Sequence, residues 1–200
     1  MSEIKLLNKW SFNGIEVKDP GLKKYINLKP VIIPRTFGRF STERFKKNEM
    51  NIVERFLNRL NVPGHKGKKH VISSARCVGD YFKKLRIIEE VFERIEKITK
   101  KNPIEVLVRA IEKCALMEEI ASYQVGGIIV RKAVVVSPQR RVDLAIRNLT
   151  QAAYRKSFNK KATIVDALVE EIIGAYNNDS SRSDALKERE RIEKEAEVSR

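Results

Sequence analysis

The pair Gly126-Gly127, followed by Ser137-Pro138, constrains this chain more than any other feature. Adjacent glycines supply the positive φ angles that a two-residue hairpin turn demands. The run from Ile128 to Val136 is dense in β-branched residues, so the spacing predicts a projecting β-hairpin over about residues 122–136. Pro138 fixes φ near the helical value and lacks the N–H that a first-turn residue leaves unpaired. Ser137-Pro138 therefore reads as the N-cap and first position of a helix. That helix carries Arg140, Arg141, Arg147 and Arg155 with only Asp143 to offset them, and it runs on to Lys156, Lys160 and Lys161. An arm feeding into a cationic helix suggests a reader of a polyanion; an ordinary hairpin followed by a solvated helix is the plainer alternative.

The whole chain shares that bias. Its formal net charge is +15 over 200 residues, which creates a potential that attracts nucleic acid or an anionic membrane surface. No run approaches the roughly 18 apolar residues that span a bilayer. The first nine residues lack the apolar stretch of a signal peptide, and a cytoplasmic protein is expected. Cys77 and Cys114 have no second Cys or His at ligand spacing, so reduced, buried thiols are expected, with no metal and no cofactor. Residues 137–161 carry seven Lys+Arg against one Asp, whereas residues 162–200 carry six against ten Asp+Glu. The anion-facing surface should thus exclude the C-terminal segment.

Upstream, residues 1–40 show no sustained helical period. The stretch from Trp10 to Lys18 alternates in the β manner, with Asn13-Gly14 available as a turn. Such a basic, prolyl extension orders against a partner surface, or else packs as an edge ribbon on the domain. Val53, Phe56, Leu57 and Leu60 then form one helical stripe, with Arg44, Lys46, Lys47, Arg55 and Arg59 largely off it. The loop 62–70 concentrates Lys66, Lys68 and Lys69 among glycines, which suits phosphate contact, and it lacks the spacing of a nucleotide-binding P-loop. His65 and His70 have no carboxylate or Cys nearby and read as a solvated or RNA-facing pair rather than a metal pair. Tyr81, Leu85, Ile88, Phe92 and Ile95 carry a second helical seam. Asn102-Pro103 starts a third helix, and Ile164 to Tyr176 forms a late core helix. Beyond residue 178 the apolar content is too thin for a core, so a charged helical tail is expected.

These segments also resemble a known family. Val125-Gly126-Gly127, the β-branched strand, and the string from Ser137-Pro138-Gln139-Arg140-Arg141 to Arg147 are similar to the hairpin-and-helix signature of small-subunit ribosomal protein seven, in its archaeal and eukaryotic form. Trp10 and residues 18–25 resemble its N-terminal extension. Residues 51–55, Gly67-Lys68-Lys69, 102–108 and 167–173 resemble its successive helices and loop, in the same order. Residues 71–78 depart from the family's pattern and add Arg76.

The resemblance implies a mainly α fold: a bundle of about six helices with a β-hairpin arm between the third and fourth. An irregular extension (1–40) would precede the helical RNA-binding domain (41–178), and the charged tail (179–200) would follow it. It implies a structural protein of the small-subunit head, without enzymatic activity, that binds the 3′ major domain of 16S-type ribosomal RNA and helps nucleate head assembly. The candidate RNA-binding residues are Arg35, Arg39, Arg44, Lys46, Lys47, Lys66, Lys68, Lys69, Arg76, Arg140, Arg141, Arg147, Arg155, Lys156, Lys160 and Lys161. Gly126, Gly127, Arg131 and Lys132 would sit on the arm near exit-site tRNA and the mRNA path. Neighbours would include small-subunit proteins of the ninth and eleventh families, with the chain a monomer within the ribosome and away from any membrane. A DNA-binding or chromatin-associated helical protein is the alternative, although no single recognition helix or dimer seam stands out. An enzyme would need converging acid, base or nucleophile groups, and none survives the spacing tests.

Overall fold

In the computed structural model, which describes residues 3–43, 45–64, 73–74 and 77–200, every segment of clear helical period forms a helix. These are α1 (Ile52–Leu60), α2 (Tyr81–Thr99), α3 (Pro103–Cys114), α4 (Pro138–Ser157), α5 (Ile164–Asn177) and α6 (Asp184–Val198). A two-stranded antiparallel hairpin, β3 (Glu118–Val125) and β4 (Ile128–Val135), projects between α3 and α4. The mainly helical fold with its arm is therefore as expected.

The helix starts follow local chemistry. Asn51 caps α1 by accepting from the Val53 amide at 2.9 Å, and Asn102 caps α3 by accepting from the Ile104 amide at 3.0 Å. Thr163 and Asp166 form a reciprocal capping box at α5. Ser137 is the N-cap of α4, but its hydroxyl makes no capping bond; Pro138 alone sets that start.

Helix α4 is the axis of the body. Val142, Ala145, Ile146 and Leu149 are buried as the period requires, and so are Gln151 and Tyr154, which lie off that stripe. The reason is that α4 packs against α1, α3, α5 and α6 together, so little of its circumference is left to solvent. Tyr154 donates its hydroxyl to the Ser73 carbonyl at 2.7 Å.

The N-terminal extension does not wait for a partner. Strands β1 (Lys5–Leu6) and β2 (Trp10–Ser11) pair, and the turn between them is made by Leu7 and Asn8 at φ 51° and 59°, not by Asn13-Gly14. Leu6, Trp10, Phe12, Leu22 and Ile26 enter the same core as the helices. Trp10 meets the Phe92 ring edge-on at 5.5 Å and donates its indole N–H to Glu96 at 2.9 Å. An edge-to-face pair of this kind adds about 0.5–1.5 kcal/mol beyond area burial.

The acidic C-terminal segment is also docked rather than free. Ala185, Leu186 and Ala196 are buried, and the fully buried Glu171 of α5 holds the start of α6. That carboxylate accepts from the Ser183 hydroxyl at 2.9 Å and the Asp184 amide at 3.1 Å, and it pairs with Lys156 at 2.9 Å. A carboxylate at a helix N-terminus also complements the macrodipole. Both cysteines are free. Cys114 is buried, and burial followed by the nearby Glu171 charge pushes its thiol up to about 12. Cys77 is only half-buried and precedes α2.

Candidate nucleic-acid interface

Short 3-10 turns at Arg39–Ser41 and Lys46–Glu49 pass in front of α1 and the first turns of α4. Between them opens a cleft of about 860 Å³, lined among others by Lys47, Arg55, Arg59, Arg140, Asp143 and Arg147. Asp143 is its only α4 carboxylate. It accepts from Lys47 at 2.8 Å and from Arg55 at 2.9 Å. Burial alone would push that carboxyl up, but the two hydrogen bonds and the two cationic charges hold it below the usual carboxylate range. The buried Arg55 also donates to the Tyr25 carbonyl at 2.7 Å, so it ties the extension, α1 and α4 into one unit.

That arrangement leaves Arg59 and Arg147 without an ion pair among the described residues. Burial first, and the like charge of Arg147 second, lower the pKa of Arg59, with Asp143 only partly opposing them. The Nε of Arg59 is buried and has no hydrogen-bond partner. Arg147 is exposed and has no ion pair among the described residues. Two guanidinium groups that repel each other at the rim of an open cleft make a site that a phosphate would relieve: each planar fork can donate to phosphate oxygens.

The cations predicted from sequence divide by what they touch. Arg141 is 7% exposed; it donates to the Leu116 carbonyl at 3.0 Å and pairs with Asp19 at 2.8 Å. It is thus a tie between α4, the hairpin's base and the extension. Arg140 makes a two-pronged pair with Glu119 of β3 at 2.7 and 2.8 Å, which fixes the angle between arm and helix. Lys156 is held by Glu171, Lys47 by Asp143, and Lys46 by Glu43 at 2.6 Å. By contrast, Arg39, Arg147, Arg155, Lys160 and Lys161 are exposed and have no ion pair among the described residues. Arg35 lies against aromatic rings. Arg44, Lys66, Lys68, Lys69 and Arg76, with His65 and His70, lie outside the described residues. Arg59 was noted in the sequence only as part of a basic flank; its place opposite Arg147 depends on how α1 crosses α4.

The arm starts earlier than its composition suggests, at Glu118 rather than near residue 122. The extra strand residues are stabilised by α6, whose Glu193 accepts from the Met117 amide at 3.0 Å, and whose C-terminal neighbour Arg200 pairs with Glu118. At its far end Val125 faces Ile128 across Gly126 and Gly127, with φ of 54° and 88°, the positive pair that a type I′ turn requires. Eight residues at about 3.3 Å each give an arm on the order of 26 Å long. Arg131 and Lys132 are adjacent and exposed, so the alternation of a strand presents one cation on each face.

Comparison with known proteins agrees with this geometry. The sequence model of the family described as ribosomal protein S7p/S5e matches residues 22–200. The small ribosomal subunit protein uS7 of Nanoarchaeum equitans is 47% identical over 198 residues, covering 99% of this chain and all of that protein. The uS7 protein of Methanococcus maripaludis is 40% identical over 199 residues, with 99% and 100% coverage. With a match across nearly its whole length, the chain belongs to the ribosomal protein S7p/S5e family, the uS7 proteins of the small ribosomal subunit.

Proposed function

We propose that this protein is a structural constituent of the small ribosomal subunit, working in the cytoplasm, that grips ribosomal RNA of the subunit head and helps that head to assemble. The observation that carries the reading is the Arg59–Arg147 pair in the α1–α4 cleft, because neither cation has an ion pair among the described residues and an external anion would relieve their repulsion. Arg39, Arg155, Lys160 and Lys161 extend the cationic surface beyond the cleft. Several separate cationic projections suit a folded RNA that surrounds the protein, whereas a duplex reader concentrates charge on one face. The arm is stiffened at its root by Arg140–Glu119 and has two cations partway along; it reaches toward exit-site tRNA and the mRNA path. The α6 corner, with its charges mostly paired among themselves, faces neighbouring proteins of the head and platform, such as the ninth and eleventh families.

The test is equilibrium binding at moderate salt to a transcript of the 3′ major domain of 16S-type ribosomal RNA and to random-sequence RNA duplex of equal length. Clear preference for the ribosomal transcript is expected. Equal affinity for the two would overturn the assignment to a specific ribosomal-RNA site.

A further inference from the structure

Among the described residues, Arg35 is the one predicted cation that is neither ion-paired nor simply solvated. Its guanidinium lies 4.3 Å from the centroid of the Phe37 ring, 4.7 Å from that of Tyr81 and 5.5 Å from that of Phe82. Tyr81 is anchored, with its hydroxyl donating to the Pro34 carbonyl at 2.6 Å. Below the cluster the buried Glu54 accepts from both the amide and the hydroxyl of Thr36, at 2.9 and 2.7 Å, which pins the backbone between Arg35 and Phe37. The cation and its inner ring are therefore held in place.

The outer rings remain largely in solvent, although Phe82 meets the Tyr81 ring edge-on at 5.7 Å. Phe37 is 81% exposed and Phe82 57% exposed, although an aromatic ring is among the most favourable groups to bury. Phe37 moreover adopts φ 51°, a left-handed backbone that a bulky side chain seldom takes. The structure thus presents a large aromatic ring to solvent at a conformational cost, with a guanidinium beside it. Phe40 lines the cleft of Arg59 and Arg147, and three residues of chain reach at most about 11 Å, so the rings stand beside that cleft.

We infer that Phe37, backed by Arg35 and flanked by Phe82, is a stacking platform for an unpaired RNA base at the edge of the cleft. A base has a π face whatever its identity, and single-stranded RNA is characteristically held by aromatic rings beside cations that take the phosphates. A protein partner fits less well, because a net charge of +15 and the unneutralised cleft alongside favour a polyanion. This inference rests on the proposed RNA-binding function and deepens it, from phosphate contact to contact with bases.

The full-length protein is titrated with a short oligoadenylate and with an RNA duplex of matched charge, as wild type and as Phe37→Ala, Phe37→Leu, Phe37→Trp and Arg147→Ala. Loss of one base–aromatic stack should weaken oligoadenylate binding by about 5- to 100-fold in Phe37→Ala and Phe37→Leu. Duplex affinity and the salt dependence should stay as in wild type. Phe37→Trp should retain affinity, and its fluorescence should be quenched by oligoadenylate; Trp10 is buried and contributes a constant background. Full affinity in Phe37→Leu would mean apolar contact without stacking, and equal loss on strand and duplex would mean that Phe37 only positions Arg35; either overturns the platform. Unchanged binding by Phe37→Ala, with Arg147→Ala still weakened, overturns the platform but leaves the RNA-binding function standing. Failure of the wild type to bind either RNA removes both.

Discussion

The α1–α4 cleft and the outer face of α6 are both rich in guanidinium groups, and they differ in what those groups touch. On α6, Arg191 is bracketed by Glu188 and Glu195, Arg189 reaches Glu193, and Arg200 crosses to Glu118 of the arm. Hydrogen bonds from Arg191, to Glu188 above all, raise its pKa, the opposite of the lowering seen at Arg59. In the cleft, Asp143 is already occupied by Lys47 and Arg55, and Arg59 and Arg147 have no ion pair among the described residues, with the like charge of Arg147 acting on Arg59. The lesson is that cations mark a polyanion site by being left unpaired; their number says little. The cations of the acidic end are paired and that end is docked, whereas the cleft keeps two cations that have no ion pair among the described residues.

The largest effect should appear in the docked corner. Replacing Glu171 by Ala removes the acceptor of the Ser183 hydroxyl and the Asp184 amide at the start of α6 and leaves Lys156 without its buried partner, and breaking a pair of this kind costs about 3–5 kcal/mol. Urea unfolding monitored by circular dichroism reads this directly, and RNA affinity of the folded protein should be unaffected. A loss under 0.5 kcal/mol would show that α6 is held by its few apolar contacts alone.

Next, Arg147→Ala should weaken ribosomal-RNA binding by about 1.5–3 kcal/mol, the range for a hydrogen bond to a charged group. The same change relieves repulsion with Arg59, so the free protein should become slightly more stable, by about 0.5 kcal/mol or less. Affinity and stability moving in opposite directions would distinguish a binding residue from a structural one. Isothermal titration and thermal melts on the same samples test the pair.

A smaller effect concerns pH. The folded-state pKa of Asp143 lies below its unfolded value, so its contribution is fully present above the ordinary aspartate pKa of about 4 and is lost as pH falls through the lower folded value. Denaturation midpoints should therefore drop below about pH 4, and Asp143→Asn should flatten that part of the profile. An unchanged profile in the variant would mean that other carboxylates dominate. Smallest of all, Arg191→Ala should alter stability by less than about 1 kcal/mol, because its two pairs are solvent-exposed, and should leave RNA binding as it was.

Much of this architecture is written locally in the chain. The stripe Val53, Phe56, Leu57, Leu60 and the Asn102-Pro103 start each need only a few neighbouring residues to be read, and Gly126-Gly127 dictates its own turn. What was illegible depends on distant partners. Arg141 looks like a surface cation until Asp19, 122 positions away, is brought beside it. The docking of α6 rests on Ala185, Leu186 and Ala196, too few apolar side chains to make a stripe, together with a carboxylate from another helix. The two-residue strands of the extension are too short to display any period, though Leu6 and Trp10 are core residues. Pairing status, which separates the cleft from the α6 face, is a tertiary property throughout.

The account stands most directly on the salt dependence of ribosomal-RNA binding, measured for wild type, Arg59→Ala/Arg147→Ala and Arg191→Ala. Each phosphate contact releases counterions worth about 0.7–0.9 in the slope of log K against log salt, so the double variant should lose roughly 1.4–1.8 of slope. Arg191→Ala should match the wild type. A double variant with the wild-type slope, or an Arg191 variant that loses as much, would contradict the claim that the unpaired cations of the cleft are the ones that meet the RNA.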